Sequence, residues 1–585
     1  MRRLAQGRRD DAGAVAVLVA VLFPVLFAVA AFAVDVARWY VEGERVQKAA
    51  DAAALAGVVF MPQDFSTART TALAVAARNG YANGGDIQVE VKQGPRPSQL
   101  QVTVSNVITN NFAFLIGQPT TLVARTAISD FTGPAPMGSP CWSFGNEPDQ
   151  LLQVRPPNCP NPANFWATVE GPATDKQQGD QFMTRSCVLA GTSGCSGSTN
   201  TEFDPNGYFW AVHVENPAAV SSITLQIFDA SYVNSGQYCE QLPAANGYRA
   251  TGQNPFVNDA RTRYAPASAA SPSQYCTGDS PPGTATVNNS TPPTTTFVLR
   301  SPVNSQNPVQ APVIGSCQRQ FFGWSDPNSL TTVLDGNRAA ATSITDATRY
   351  QPLLAETFHR WATLCTIPGP LVRGDYYLQV RTNVPWNAAT SAWSSTNDNT
   401  GERGFGSNGF ALRAQVSGDA SQVSIGSIGH MPIYANDPRN SEATFNLIRV
   451  VPGAAGKTVK FTFFDVGDAT GNGAAHVQVL APLEATGTGI PAGNVEKTIP
   501  TCRGLDWTGT TQTLALCDRT GITSATWQGK FYTITVPIPS DYNCGYSTLS
   551  GCWFRVQYGF PTGTSLHDVT TWSASIEGDP VRLVK

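Results

Sequence analysis

The residues whose types and spacing best suit binding chemistry are Asp465, Asp468 and Asn472, in Asp465-Val-Gly-Asp468-Ala-Thr470-Gly-Asn472-Gly. Carboxylate and amide oxygens gathered in a Gly-rich loop supply the hard ligands that Ca²⁺ takes. The loop has neither the full spacing of a calcium loop nor its closing bidentate Glu. A polar turn leaving a strand is therefore the first reading, a structural calcium the second, and no other cofactor is expected. Asn397-Asp398-Asn399, ahead of Gly404 to Gly409, is a weaker cluster that Asx-turn chemistry explains.

Catalytic chemistry is poorly represented. The five histidines, His213, His359, His430, His476 and His567, are scattered singly. There is no H-E-x-x-H and no G-x-S-x-G. His213 falls inside an expected strand and His567, beside Asp568, in an expected loop; each is read as a satisfied or surface residue. No catalytic residue is assigned, and the chain is read as non-enzymatic. A formal charge of −4 over 585 residues leaves no basic footprint for nucleic acid.

The twelve cysteines begin only at Cys141. None forms a C-x-x-C pair and no His lies close enough to complete a zinc set. An even count confined to the later chain fits disulfides made in an oxidising compartment. Cys187 and Cys195 enclose CVLAGTSGC, and Cys544 and Cys552 enclose CGYSTLSGC. These two loops of equal length, each ending Ser-Gly-Cys, are expected to be local disulfide staples; spacing leaves the other pairings open.

The element that must position all of this is an uncharged apolar run, residues 12–34, entered through Arg2, Arg3, Arg8 and Arg9. Its length suits a bilayer core of roughly 30 Å and exceeds the roughly 7 to 15 apolar residues of a secretory signal. A retained transmembrane helix is expected, with residues 1–11 cytoplasmic and the C-terminal region extracellular. The cysteines fix that orientation better than the flanking charges do. Pro24 implies a kink, Asp35 closes the run within reach of headgroups, and Trp39 and Tyr40 fit an aromatic anchor at the outer leaflet.

Helical periodicity continues beyond Asp35, with Ala49, Ala52, Ala53 and Ala56 forming a small-residue stripe that permits close approach of another helix; it reads either as a juxtamembrane helix rich in a good helix former or as a packing face in an assembly. A second helix is expected from Asp64 through Arg78, ending at Asn79-Gly80. Alternating strands follow at 87–91, 100–104 and 122–128, with an apolar stretch at 112–116. Residues 35–130 thus read as a small α+β unit.

Here the sequence resembles a family. RRDDAGAVAVLVAVLFPVLFAVAAFAVDVARWYVEGERVQKAADAAALAG is similar to the N-terminal module of TadE/TadG-like proteins of Flp (tight adherence) pilus assembly, especially the TadG-like branch. The likeness rests on Gly13 opening the run, Pro24 within it, Ala33-Val34-Asp35 closing it, and Gln47 to Gly57, and extends more loosely over residues 8–130. It implies a single-pass, pilin-like membrane component whose partners are the membrane and pilus assembly proteins or pilin-like subunits. Processed members carry Glu five residues after the cleavage Gly; here that position is Leu18, so the helix is expected to stay intact. The Asp-x-Ser-x-Ser metal motif of the von Willebrand A domain in many TadG-like proteins is missing, since Asp229-Ala-Ser231 is followed by Tyr232 and Val233.

The remaining chain is read from its residues. With 14% charged residues and abundant Gly and Pro, loop-rich β structure is expected. Residues 131–199 read as a Cys/Pro/Gly-rich linker region. Residues 209–229 align without a gap to 445–465: Phe209 meets Phe445, Val214 meets Val450, and Phe228-Asp229 meets Phe464-Asp465. Ala362 to Pro368 then Tyr376 to Arg381 likewise echo Tyr532 to Pro537 then Trp553 to Gln557. Two tandem disulfide-bonded β-sandwich domains are expected, 200–435 with a loop insertion at 253–293, and 436–585. The expected fold class is mainly β, membrane-anchored through the N-terminal helix and its pilin-like unit. The expected role is a structural or assembly component of Flp pili or cell-surface adhesion; the alternative is a membrane-anchored module binding a carbohydrate or another envelope ligand, with calcium as a candidate requirement.

Overall fold

The computed structural model describes residues 7–583 apart from 62–64, 96–98, 132–136, 139, 149–158, 160–164, 234–276, 280–292, 303–307, 322, 324–356, 384–385, 388–391, 394–403, 438–441, 468–473, 494–495, 546–550, 561–565 and 578–580. The chain divides into two compact units, residues 1–133 with 579–585, and residues 134–578.

The first unit is built on one helix, α1 (Gly7–Val58), which carries Pro24 inside it. Its apolar part has no buried residue along a window of mean hydropathy 2.9, whereas Val46, Ala49, Ala50, Ala53, Ala54 and Val58 are buried. The change follows the partners available. From Val46 onward α1 packs on α2 (Phe65–Arg78) and on an antiparallel sheet of β1 (Ile87–Gln93), β2 (Gln99–Thr109) and β3 (Thr120–Phe131).

Half of the alanine stripe, Ala49 and Ala53, is used inside this unit, while Ala52 and Ala56 are half-buried. Ala49 and Ala53 share a core with Ala68, Ala72 and Ala76 of α2. A Cβ on Gly57 would meet the Ala68 carbonyl at 2.7 Å and the Ala72 methyl at 3.1 Å, so only glycine allows this approach. α2 stops where Gly80 takes φ 93°, its N–H donates to the Ala77 carbonyl and the Tyr81 N–H returns to the Ala76 carbonyl, a Schellman cap. A strand from the far end of the chain, Val581–Leu583, pairs with β3 and completes this sheet. The second unit is therefore inserted between two neighbouring strands of the first, and 581–583 stand apart from the sandwich to which they were expected to belong.

In the second unit we number the longer strands β4 (Met137–Gly138), β5 (Phe165–Glu170), β6 (Tyr208–Val214), β7 (Val220–Phe228), β8 (Thr295–Arg300), β9 (Val313–Phe321), β10 (Trp361–Pro368), β11 (Gly374–Thr382), β12 (Ser407–Gly418), β13 (Val423–Ile428), β14 (Met431–Asp437), β15 (Glu442–Arg449), β16 (Thr458–Phe464), β17 (Ala475–Leu480), β18 (Thr501–Asp506), β19 (Thr511–Ala515), β20 (Asp518–Ile522), β21 (Phe531–Pro537), β22 (Trp553–Gly559) and β23 (Leu566–Glu577). One sheet runs β10-β7-β12-β5-β14-β23-β16-β21-β18-β19, and the other β9-β8-β11-β6-β13-β4-β15-β22-β17-β20.

The repeat is visible in these orders. β10-β7-β12 and β8-β11-β6 of the first copy match β21-β16-β23 and β17-β22-β15 of the second. The copies do not close as separate sandwiches; they share both sheets, and the seam comes from the segment expected as a linker. In one sheet Met137 pairs with Ser427 of β13 and with Ile448 of β15. In the other, Ala167 of β5 pairs with Phe410 of β12 and Ile433 of β14. The aromatic core crosses the seam, from Trp210 through Phe144 and Phe165 to Phe445 and Tyr558, with successive ring centroids 5.3 to 6.1 Å apart.

Candidate functional site

The end of the first unit that adjoins the apolar run is built around Asp35. Its carboxylate is 1% exposed, and its oxygens accept three consecutive backbone N–H groups. Oδ1 accepts from Asn111 at 2.8 Å, and Oδ2 accepts from Phe112 at 2.8 Å and Ala113 at 2.7 Å. These are free N–H donors at the start of a one-turn 3-10 helix, Ala113–Ile116, which ends at Gly117 with φ 86°. Burial pushes the Asp35 carboxyl up, but the N–H groups of Ala113, Asn111 and Phe112, with the Arg38 charge, outweigh it and hold the carboxyl below its ordinary 3.8.

Neighbouring contacts extend this attachment. The Trp39 indole N–H donates to Asn110 Oδ1 at 2.8 Å, and the Trp39 ring meets Phe32 edge-on at 5.7 Å. Arg38 donates to the Thr109 carbonyl at 3.2 Å. One helical turn further, Glu42 Oε1 accepts from Asn106 at 2.8 Å and from the Tyr81 hydroxyl at 2.9 Å. Burial, and then Glu42, push that phenol up to about 12. Ser129, opposite Leu100 in the sheet, donates to the Ala54 carbonyl at 2.7 Å.

These contacts form a ruler. Reading down α1 from Ala54 through Glu42 and Arg38 to Asp35, the levels reached climb from Leu100, opposite the Ser129 that Ala54 holds, through Asn106 and Thr109 to Asn111. The first interval is twelve helical residues at about 1.5 Å, about 18 Å, against six strand residues at about 3.3 Å, about 20 Å. β2 thus runs antiparallel to the helix and delivers its hairpin loop, residues 110–119, to the end of the apolar run. Tyr40 is 76% exposed beside this loop's attachment.

In the second unit the candidate cation loop begins at a residue with another use. Asp465 is 1% exposed and adopts φ 63°; its backbone N–H donates to the Lys530 carbonyl at 2.8 Å, and its Oδ1 accepts the Gly529 N–H. Asp229 repeats this arrangement at φ 53°, with its N–H on the Arg360 carbonyl at 3.0 Å and its Oδ1 accepting the His359 N–H at 3.0 Å. His359 and Gly529 also correspond, at φ 50° and 66°. The aligned Phe-Asp pairs are therefore matching corner staples between a strand end and the start of its neighbour. Asp468, Asn472 and Asn397-Asp398-Asn399 lie outside the described residues. Among the described residues no group of three or more His, Cys, Asp and Glu is arranged to hold a metal.

Cys187 and Cys195 are bonded, with Cα atoms 5.9 Å apart, and so are Cys544 and Cys552, at 5.8 Å. Cys141 pairs with Cys159, Cys317 with Cys365, and Cys502 with Cys517. Cys317–Cys365 joins β9 to β10, the outer strands of the two sheets at one end. His213 lies in β6 as expected, between Asp375 at 2.6 Å and Glu215 at 3.2 Å. His567 and Asp568 are buried in β23 rather than placed in a loop.

Asp35, expected to reach headgroups, instead caps the hairpin loop. Its partners lie 76 to 78 positions away, and only the apolar stretch at 112–116, unusual for a hairpin tip, signalled them.

Residues 13–64 match the family model Tad, "Putative Flp pilus-assembly TadE/G-like". The match spans the apolar run, Asp35, the aromatic pair and the buried alanine face of α1, and so associates the N-terminal module with Flp pilus assembly. No curated protein and no solved structure matches the chain.

Proposed function

We propose that this chain is a non-enzymatic, single-pass membrane protein of TadG-like type, a structural or assembly component of Flp (tight adherence) pili or of cell-surface adhesion. Its N-terminus is cytoplasmic, and its disulfide-bonded β unit lies outside the cell. The observation that carries this reading is the division of labour along α1. An apolar stretch with no buried residue leads, without a break in the helix, into a face that forms the core of a small α+β module, and the family match covers both parts. An exposed uncharged helix of this length is stable in lipid and unfavourable in water.

The test is cross-linking in intact cells followed by purification of the full-length chain. Recovery of pilin-like subunits and secretion-platform proteins is expected. Recovery of the chain with none of these, together with a glycan-array signal that a chelator abolishes, would contradict it in favour of an envelope-ligand module.

A further inference from the structure

We propose that the β2–β3 hairpin tip, Phe112 to Ile116, is a second membrane contact, seated in the interfacial layer of the bilayer that α1 crosses. This rests on the reading of α1 as a membrane span. Phe112, Phe114, Leu115 and Ile116 are 37%, 52%, 73% and 71% exposed, although they are four of the most apolar residues of the first unit outside α1. A hairpin tip is ordinarily polar, because its backbone and side chains face water. Here residues 110–119, NNFAFLIGQP, carry no acidic or basic residue.

Position along α1 selects lipid as the occupant. Asp35, the first charge after the apolar run, holds the N–H groups of Asn111, Phe112 and Ala113, so the tip stands level with the end of that run. Trp39 touches both Phe32 inside the run and Asn110 in the loop neck. Phe32 and Val34 are themselves 42% and 47% exposed, so the apolar surface of the span is level with that of the tip. The tip also closes its own polar account. Asn110 donates its amide to the Gln118 carbonyl at 2.8 Å, and Gln118 N–H donates to the Ala113 carbonyl at 3.1 Å. A short turn satisfied in this way can enter the headgroup and acyl boundary with little unmet hydrogen bonding. Arg38, exposed and one turn outward, lies where anionic headgroups would be. The sheet is thereby held against the membrane at two points, which restricts rotation about α1.

The test is photo-crosslinking of the full chain in phospholipid vesicles, with p-benzoylphenylalanine replacing Leu115, Leu26 or Glu90 in three separate preparations. Leu26 lies within the span and Glu90 on the exposed face of β1. Lipid adducts at Leu115 are expected to exceed those at Glu90 by about tenfold, as burial of one large apolar side chain implies. Adducts at Leu26 with none at Leu115 would overturn the second contact and leave the span standing. No adducts at Leu26 would overturn the span itself. Adducts from Leu115 to another copy of the chain, in place of lipid, would also overturn the proposal. As an independent check, Leu115→Asp with Ile116→Asp should leave α1 in the membrane and raise amide exchange across 110–119.

Discussion

The carboxylate of Asp35 and the backbone N–H of Ala113 meet at 2.7 Å across 78 positions of sequence. This contact, with its two companions, fixes a hairpin tip to α1 at the end of its apolar run. Asp35→Asn keeps the size but turns one of the two acceptors into a donor facing other donors. Amide protection of Asn111 to Ala113 in the full chain is expected to fall by about tenfold or more. Because the folded carboxyl is held below its ordinary value, its contribution is present above about pH 4 and is lost as pH falls through the folded value. Unchanged protection in the variant would contradict the capping role.

Asp465 supplies a left-handed corner and an acceptor for Gly529. Asp465→Ala loses the acceptor for the Gly529 N–H and exchanges a residue type that tolerates the left-handed region at φ 63° for one that tolerates it less, and should cost about 2 kcal/mol. Asp465→Asn, which tolerates the left-handed region, should cost clearly less. Urea midpoints of both variants check the order. The polar-turn reading also predicts that a chelator leaves the midpoint where it is; a large drop would support the calcium alternative.

Among the disulfides, loop length ranks the contributions. Cys317–Cys365 spans 48 positions and Cys187–Cys195 spans 8. Chain entropy predicts about 4 and about 2.5 kcal/mol respectively. Serine pairs at each site, compared by denaturant midpoint, should follow that order.

His213 gives the β unit an alkaline limit. Burial pushes its imidazole down, but Asp375 and Glu215 more than compensate and raise it to about 9. Its contribution is therefore complete below the ordinary value near 6.5 and is lost as pH rises through about 9. The loss should be on the order of 2 kcal/mol after allowance for solvent screening. The buried Asp229 and Asp279 carboxyls, both pushed up by burial, act in the same direction. The measurement is thus the difference between the parent and His213→Gln, whose urea midpoints should converge above about pH 10.

Local pattern made much of this legible. The run at 12–34, the Gly80 stop, the strands at 87, 100 and 122, and the Phe-Asp repeat all announce themselves by periodicity or by turn residues. The repeat alignment paired Phe228-Asp229 with Phe464-Asp465, while only the structure shows that both aspartates turn left-handed corners. The seam was not legible. Phe165 to Glu170 is buried on both faces, so it shows no alternation, and Met137–Gly138 is too short to carry a period. Which sheet edges meet is decided by pairings such as Ala167 with Ile433, and sequence spacing does not encode that. Asp35 was hidden for the same reason: its donors are backbone groups, which leave no residue signature.

The proposed role requires α1 to hold the chain in the membrane with the β unit outside. External protease added to intact cells tests this, followed by detection of tags at both ends of the chain. The prediction is loss of everything beyond about residue 60, leaving a short N-terminal fragment in the membrane fraction. Full protection of the region from Cys141 to Cys552 in cells whose contents become digestible on lysis would contradict it.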